Sequence, residues 1–543
     1  MELTYQGIKD RKFWEIAGIK LPDYCPEEVS KKAIESPRWI HFGIGNIFRI
    51  FIGGIADDLL EKGLLDRGIT CVETFDFDVI DKIYKPFDNL ALSVLLDKDG
   101  SRDIKVLASF AEALGVNAHR DKEWNRLQDI FACKELQIVS LTITEKGYAL
   151  YDSFGKLNTL ASYDIEQGPK KVKSAMGILA AMLYARFQRG EFPIALVSMD
   201  NCSHNGDLLK TSVLSIAKEW ETLGFVEKEF VKYLENEEKV AFPWTMIDKI
   251  TPRPSEDIAG DLSGLGISAM DVVVTSKETY IAPFANAEIP QYLVIEDKFP
   301  NGRPKLEEGY GVYMTDRETV DKAERMKVTA CLNPVHSALG PIEVVLGIDL
   351  FADGLKDEAL LRLGRRVAYV EGMDVIENPG ILSPKEFTDE LFSSRFPNQC
   401  LGDTNLRLAT DVSQGLCVRF GETVKSYVKR DGNTDKLWGI AFGIAGWLRY
   451  LLGVDDKGNI YELAPDPMKE EIRKLLSEIT LGESESLKKQ LQPILSNKQL
   501  FGVNLYETGL GERIESLFKE MIAGKGAVRK TLDKYFGENR NLF

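Results

Sequence analysis

Trp39-Ile40-His41-Phe42-Gly43-Ile44-Gly45-Asn46-Ile47-Phe48-Arg49 decides the fold: a strand-like run of four residues passes through two glycines into a helical pattern that lasts to about residue 62. At such a junction the unpaired N–H groups of the helix start, at the positive end of the helix dipole, can hold a phosphate. Gly43 permits the tight turn, and Gly45 lets the backbone approach a pyrophosphate with no side chain in the way. The third glycine of the usual G-x-G-x-x-G pattern is missing, since Phe48 stands five residues after Gly43. By itself the pattern fits an ordinary tight turn as well as a dinucleotide site.

Working outward, Ile69-Thr70-Cys71-Val72 reads as a second strand and ends in Glu73-Thr74-Phe75-Asp76. A carboxylate there, Glu73 or Asp76, can accept both ribose hydroxyls; it would repel a 2′-phosphate and so favours NAD over NADP. Further strand-like runs cover residues 136–143 and 193–199, with a helix-like stretch at 172–189 between them. Strands alternating with helices predict an α/β, Rossmann-like, doubly wound parallel sheet. From about Asp316 the texture changes to helical periodicities, among them residues 357–370, 385–396 and 512–523, so a mainly α-helical second domain is expected. The loop Phe299-Pro300-Asn301-Gly302-Arg303-Pro304 is the best break, giving domains 1–304 and 305–543.

A chain of 543 residues exceeds one ordinary core, and 44% hydrophobic with 28% charged residues is a globular composition. The net charge of −16, without a dense Lys/Arg run, argues against nucleic acid and anionic membranes as partners. No apolar run reaches the ~18 residues of a spanning helix. Residues 1–14 lack the apolar centre of a secretory signal. Seven dispersed cysteines without a C-x-x-C pair suit the reducing cytoplasm, and four histidines without paired spacing argue against a zinc site. The absence of a G-x-x-x-x-G-K-[ST] loop sets phosphoryl transfer aside. The expected partner is a small molecule, and no residue pattern specifies an oligomer.

Four further segments carry chemistry-bearing side chains. They are Ser198-Met199-Asp200-Asn201-Cys202-Ser203-His204-Asn205-Gly206, Phe242-Pro243-Trp244-Thr245-Met246-Ile247-Asp248-Lys249-Ile250-Thr251-Pro252 and Glu296-Asp297-Lys298-Phe299-Pro300-Asn301-Gly302-Arg303-Pro304. The fourth is Glu324-Arg325-Met326-Lys327, leading to Asn333-Pro334-Val335-His336-Ser337-Ala338-Leu339. Singly, each residue has a plain structural reading: a solvated lysine, a turn asparagine, a structural histidine. In this order they resemble the long-chain mannitol dehydrogenase family, from about Trp39 to the last quarter of the chain. The most specific motifs are S-x-D-N-x-x-x-N-G and D-[RK]-I-T-P. Gly43-Ile44-Gly45-Asn46 and Thr142-Ile143-Thr144-Glu145-Lys146-Gly147-Tyr148 also match family patterns.

The resemblance implies a nucleotide-binding domain, a helical domain, a site in the cleft between them, and metal-independent hydride transfer between NAD and a sugar alcohol or sugar acid. Oxidising a secondary alcohol needs a base for the hydroxyl proton and donors for the developing alkoxide. A lysine can be that base only if its pKa falls from about 10.4 towards ~7–8, which demands a poorly solvated cleft. The resemblance makes Lys327 the base, Asn201 and Asn333 the donors, and His336 the group that orients the substrate oxygen. Glu324 would pass the proton to solvent. Asp248, Lys249 and Arg395 are implied at the substrate; Asn46, Arg49, Thr144 and Glu145 join Gly43, Gly45, Glu73 and Asp76 at the cofactor.

Two departures bear on this reading. Family members place the lysine five residues before the asparagine and eight before the histidine, whereas Lys327 lies six before Asn333 and nine before His336. At roughly 100° per residue, nine steps set Lys327 and His336 on opposite faces of an ideal helix, and Pro334 cannot bond back to Ala330. A π-bulge or a break between Lys327 and Pro334 is therefore expected. Lys249 stands where the family has arginine, keeping the charge but losing the planar fork. A sugar acid needs a cation for its carboxylate, for which Arg395, Arg49 and Lys249 are candidates. The opening Phe42 to Arg49 looks more like the hexonate members, so D-mannonate/D-fructuronate chemistry is favoured, with altronate/tagaturonate and mannitol/fructose as alternatives. A dinucleotide-binding redox sensor without turnover is the reading of another class; the lysine, asparagine and histidine set argues against it.

Overall fold

The computed structural model describes residues 1–151 and 155–538, and the chain divides into two compact units, Met1–Val320 and Asp321–Phe543. In the first unit, β1 (Trp39–Phe42), β2 (Ile69–Glu73), β3 (Phe110–Gly115), β4 (Ile138–Leu141), β5 (Ile194–Ser198) and β6 (Val240–Ala241) form one all-parallel sheet. Its order is β3-β2-β1-β4-β5-β6, the doubly wound arrangement in which ligands bind at the carboxyl ends where the strand order reverses. That reversal falls between β1 and β4, beside Gly43.

Strands β1, β2, β4 and β5 are buried throughout, because a parallel sheet with crossover helices is covered on both faces. On one face Ile40, Val139, Leu141 and Leu196 pack with residues of three helices, α2 (Asp121–Ala132), α4 (Ala175–Gly190) and α5 (Asn205–Thr222). On the other, Trp39, Cys71, Ile138 and Val197 meet Phe48, Phe51, Ile55 and Leu59, which belong to a π turn (Phe48–Ile52) and the helix it feeds, α1 (Gly53–Glu61). Helix α3 (Thr144–Tyr148) is a short turn after β4. Helix α4 starts at Ala175, three residues later than the periodicity suggests, because Ser174 Oγ accepts from Gly177 N–H (2.9 Å) while donating to Asp164 (2.5 Å).

Arg186 of α4 is fully buried, and among the described residues no carboxylate is hydrogen-bonded to it; its guanidinium donates to the carbonyls of Phe131, Cys133, Leu136, Phe192 and Pro193 at 2.7–3.1 Å. One side chain thus ties the end of α2 to the starts of β4 and β5.

Past β6 the chain lays down β7 (Thr245–Asp248), β8 (Val273–Val274), β9 (Tyr280–Ile281), β10 (Tyr292–Glu296) and β11 (Val312–Thr315). β8 and β9 make an antiparallel hairpin, and β7, β10 and β11 a three-stranded sheet. The loop Phe299 to Pro304, expected as the domain break, instead links β10 to β11; these pair in parallel, so the first unit runs on to Val320. A mixed sheet of Ile19–Lys20, Arg102–Leu107, Ala91–Leu96 and Phe284–Glu288 completes it.

Among the described residues of the second unit there is no β-strand beyond isolated bridges. After α6 (Arg317–Arg325), α7 (Asn333–Leu346) and α8 (Trp438–Tyr450) carry its centre, burying Val335, Ala338, Leu339 and Ile342 with Ile440, Phe442, Ile444 and Trp447. Buried Glu371 starts α8 by accepting from the N–H groups of Trp438, Gly439 and Ile440 at 2.7–2.9 Å, and it pairs with Arg366 (2.7 Å). Among the described residues, Glu343, inside α7, has neither carboxyl oxygen hydrogen-bonded and lies beside Asn405, whose side-chain oxygen is also without a partner. Burial holds its carboxyl well above the ordinary glutamate range.

Two outcomes follow from these buried charges. Arg186→Met strands five carbonyls, two of them in fully buried contacts, and should lower stability by about 3–5 kcal/mol, with Arg186→Lys recovering little, as read by thermal melting. Native Glu343 keeps a proton that the unfolded chain releases above about pH 4.5, so this residue's contribution to stability is lost as pH rises. Glu343→Gln should therefore raise the melting temperature at pH 8 and by less at pH 5.

Candidate active site

In the first unit the glycine turn is forced by its surroundings. Gly43 has φ +87°, its N–H donates to Val72 O (3.0 Å), and a Cβ there would fall 2.1 Å from Thr142 O. Gly45 faces open space, and the helix begins at Asn46. Behind the turn, buried His41 sits between Ser140 Oγ (2.7 Å) and Thr142 Oγ1 (2.8 Å) and stacks on Phe48 at 4.0 Å. Burial lowers its pKa to about 3, so it is a neutral packing element.

Arg49 does something other than what the sequence suggested. It is 1% exposed, and its guanidinium donates to Ala282 O (2.6 Å), Phe284 O (3.3 Å) and Asn46 Oδ1 (2.6 Å). It is an internal brace, not a cation held out to a phosphate or a carboxylate. Asn46 in turn donates to Tyr280 O (3.1 Å), which pins the turn to β9.

At the carboxyl end of β2, Glu73 Oε1 accepts from the N–H groups of Thr74, Phe75 and Asp76 (2.9–3.2 Å). Burial raises its pKa against those hydrogen bonds. Asp76 is buried; Oδ2 accepts from Thr275 Oγ1 (2.6 Å), while Oδ1 has no partner among the described residues.

At the ends of β4 and β5 an unforeseen residue does the organising. Asp200 accepts from Ile143 N–H (2.8 Å), Thr144 N–H (3.1 Å) and Tyr148 OH (2.6 Å), holding Thr144 at φ +63°. Burial raises the Asp200 pKa. Five residues on, buried Asn205 donates to Asp200 O (3.0 Å) and Thr245 Oγ1 (2.8 Å) and accepts from Thr245 N–H (3.0 Å). Gly206 lets α5 approach the next segment, since a Cβ would lie 2.6 Å from Phe242 O. Most of the S-x-D-N-x-x-x-N-G motif is therefore scaffold. It presents Asn201, which is exposed, from a backbone fixed on both sides. Glu145 is also exposed. Asp248 ends β7 and is buried; Lys249 is buried with Nζ donating to Ile289 O (3.1 Å). Hydrogen bonds thus join the glycine turn, residues 142–148, residues 198–206 and the start of β7 along one sheet edge.

In the second unit Lys327 is 4% exposed and lies in a π turn, Met326–Cys331, with Leu332 N–H donating to Lys327 O (3.1 Å). Leu332 (φ −106°, ψ −63°) interrupts the helix, and α7 begins at Asn333 with Pro334 in its first turn. Both the widening and the break demanded by the spacing are present. Thr423 Oγ1 donates to Thr329 O (3.2 Å), and Gly372 lies so close that a Cβ would be 2.7 Å from Ala330 O. Glu324 is buried one turn before the lysine.

His336 packs edge-on to Phe351 (4.8 Å) and against Phe396 (5.2 Å). Burial lowers its pKa to about 4; Asp403 opposes that shift, while Arg407, Arg419 and Arg395 reinforce it. Arg395 is buried at the end of a π turn, Leu391–Arg395. Arg419, which no motif had flagged, donates to Ser337 Oγ (2.8 Å), next to His336. Among the described residues no group of three or more His, Cys, Asp or Glu is placed to hold a metal ion, and no helix is long and apolar enough to cross a membrane.

The family model described as the mannitol dehydrogenase Rossmann domain matches residues 37–308, and that of the mannitol dehydrogenase C-terminal domain matches residues 319–522. The D-mannonate oxidoreductase of Thermotoga maritima is 51% identical over 540 residues, 99% of each chain. The D-mannonate oxidoreductase of Escherichia coli is 30% identical, over 81% of this chain and 84% of its own. Among solved structures, the mannitol 2-dehydrogenase of Pseudomonas fluorescens, in ternary complex with NAD and D-mannitol, superposes with a TM-score of 0.75 at 25% identity, over 98% of this chain and 99% of its own. With both domain models and a full-length relative in agreement with the sheet order and the helical second unit, the chain belongs to the mannitol dehydrogenase family.

Proposed function

We propose that the protein is an NAD-dependent oxidoreductase that interconverts a hexonate and a keto-hexuronate, D-mannonate/D-fructuronate ahead of altronate/tagaturonate and mannitol/fructose. The substrate order leans on the two D-mannonate oxidoreductases among its relatives. The observation that carries the chemistry is a buried lysine on a widened helical turn, followed by an asparagine and a histidine on α7.

The residues fit a dinucleotide. The turn at Gly43 admits no side chain, Gly45 leaves open space for a pyrophosphate, and Glu73 ends β2 where a ribose hydroxyl would be received. Asn46, Thr144 and Glu145 flank that turn and its neighbour. NAD, when bound, takes up or returns the hydride. Lys327 holds the hydroxyl proton in one direction and supplies it in the other. Lys327 is 4% exposed, so a proton it takes from the substrate is shielded from bulk water. Asn201 and Asn333 donate to the oxygen as it gains charge. Neutral His336 orients that oxygen, and Glu324 carries the proton on to solvent. Asp248 and Lys249 order the polar surroundings, and Arg395 supplies the cation for a sugar-acid carboxylate.

The purified protein, given NADH with D-fructuronate, D-tagaturonate or D-fructose, should consume absorbance at 340 nm, with the highest kcat/KM for fructuronate. Tight NADH binding with no turnover on any of the three would establish the sensor instead. Lys327→Ala should lower kcat by about 10²–10⁴-fold across the pH range while leaving NADH affinity unchanged. Gly372→Ala, which touches neither ligand in this account, must displace the Ala330 backbone; it should lower kcat by about tenfold or more, again with unchanged NADH affinity.

A further inference from the structure

The β8–β9 hairpin belongs to none of the motifs above, yet hydrogen bonds tie it to both loops of the dinucleotide reading. At one end, Tyr280 O and Ala282 O accept from Asn46 and Arg49 of the glycine turn and the helix it begins (3.1 and 2.6 Å). At the other, Thr275 Oγ1 donates to Asp76 Oδ2 (2.6 Å), on the loop that follows β2, and Ser276 N–H to Asp78 Oδ2 (2.9 Å), at the start of the helical turn which that loop enters. The hairpin tip is tightly wound: Thr275 Oγ1 also accepts from Lys277 N–H (3.2 Å) and Thr279 N–H (3.1 Å), and Glu278 adopts φ +61°. A strap therefore runs from the phosphate-type turn after β1 to the acidic loop after β2.

The strap sets Lys277 Nζ 5.0 Å from the centroid of the Phe75 ring. Phe75 is 66% exposed, an uncommon state for a large aromatic side chain, and its backbone is fixed by the Glu73 carboxylate. Lys277 is exposed, and among the described residues it makes no ion pair. With the ammonium on one face, the other face of Phe75 is available at the carboxyl end of β2, one strand from the reversal point. A flat, π-rich heterocycle is the ligand chemistry that an open aromatic face takes, and the lysine behind the ring holds that face in place.

We propose that Phe75, backed by Lys277 on the β8–β9 strap, is the adenine platform of the dinucleotide site. This rests on the NAD reading, and the ligand is the adenine ring common to NAD and NADP. Both side chains are exposed, so their replacement leaves the core intact.

NADH and NADPH binding, followed by fluorescence titration without substrate, tests it. Phe75→Ala should raise the Kd of both cofactors about tenfold, the scale of one base stacked on an aromatic ring. Phe75→Trp should restore binding, and Lys277→Ala should raise both Kd values about threefold. Reduced nicotinamide mononucleotide, which lacks the adenosine half, should bind the unmodified protein and Phe75→Ala alike. Unchanged Kd values in Phe75→Ala and Lys277→Ala, beside tight NADH binding by the unmodified protein, overturn the platform but not the cofactor reading. Failure of the unmodified protein to bind NADH overturns both. A loss confined to NADPH in Lys277→Ala overturns the platform by making Lys277 a reader of the 2′-phosphate.

Discussion

The hydrogen bond from Leu332 N–H to Lys327 O closes a turn one residue wider than an α-helical one, and the reading of the second unit depends on it. An unbroken α-helix through residues 327–336 would carry the lysine and the histidine on opposite faces. The widened turn absorbs the extra residue, and the bend at Leu332 resets the start of α7. Such a turn is not self-sustaining, because its hydrogen bonds are fewer and poorer. Here Gly372 against Ala330 and the Thr423 bond to Thr329 O hold it from outside. The same device recurs at Leu391–Arg395 and Cys417–Gly421, which carry Arg395 and Arg419. Among the described residues of this unit each π turn thus carries a buried or half-buried cation, Lys327, Arg366, Arg395 or Arg419.

The first unit solves a different problem, holding short loops rigid at the carboxyl edge of a parallel sheet. It does so with side chains that accept or donate to neighbouring backbone: Glu73 to three N–H groups of its own loop, Asp200 to two of the loop after β4, Asn205 to the start of β7. Exposed Asn201 stands between two such anchors. A motif that looks like a row of reactive groups is thus mostly architecture, with few residues left for chemistry.

Four of the six strands of the parallel sheet were legible because a doubly covered sheet demands mostly apolar runs, as at 39–42, 69–72, 136–143 and 193–199, whereas β3 and β6 were not read. The extra residue before Pro334 was legible too, since helix geometry converts a spacing into an angle. The β8–β9 hairpin was not. Its strands are two residues long, and Val274 and Tyr280 are exposed, so no periodicity marks it. Nor was the end of the first unit, because half-buried β11 joins its sheet by parallel pairing with β10, a contact that no local pattern announces. Arg49 misled for a related reason. A cation three residues into a phosphate-type helix invites an electrostatic role, while two of its three acceptors lie more than two hundred residues downstream.

The low pKa of His336 bears on how the proposed chemistry divides its labour. An imidazole at its ordinary pKa would be partly protonated near neutrality and would compete for the proton taken from the substrate. Burial between Phe351 and Phe396, with three arginines nearby, keeps it neutral above about pH 4. A neutral imidazole still donates one N–H to an oxygen but carries no charge to pass on. In the proposed chemistry those arginines would also draw a carboxylate-bearing substrate, so one electrostatic arrangement would serve both ends, keeping the histidine out of the acid–base step and favouring a sugar acid over a neutral polyol. In the proposed chemistry the proton would then fall to Lys327, which lies in the widened turn.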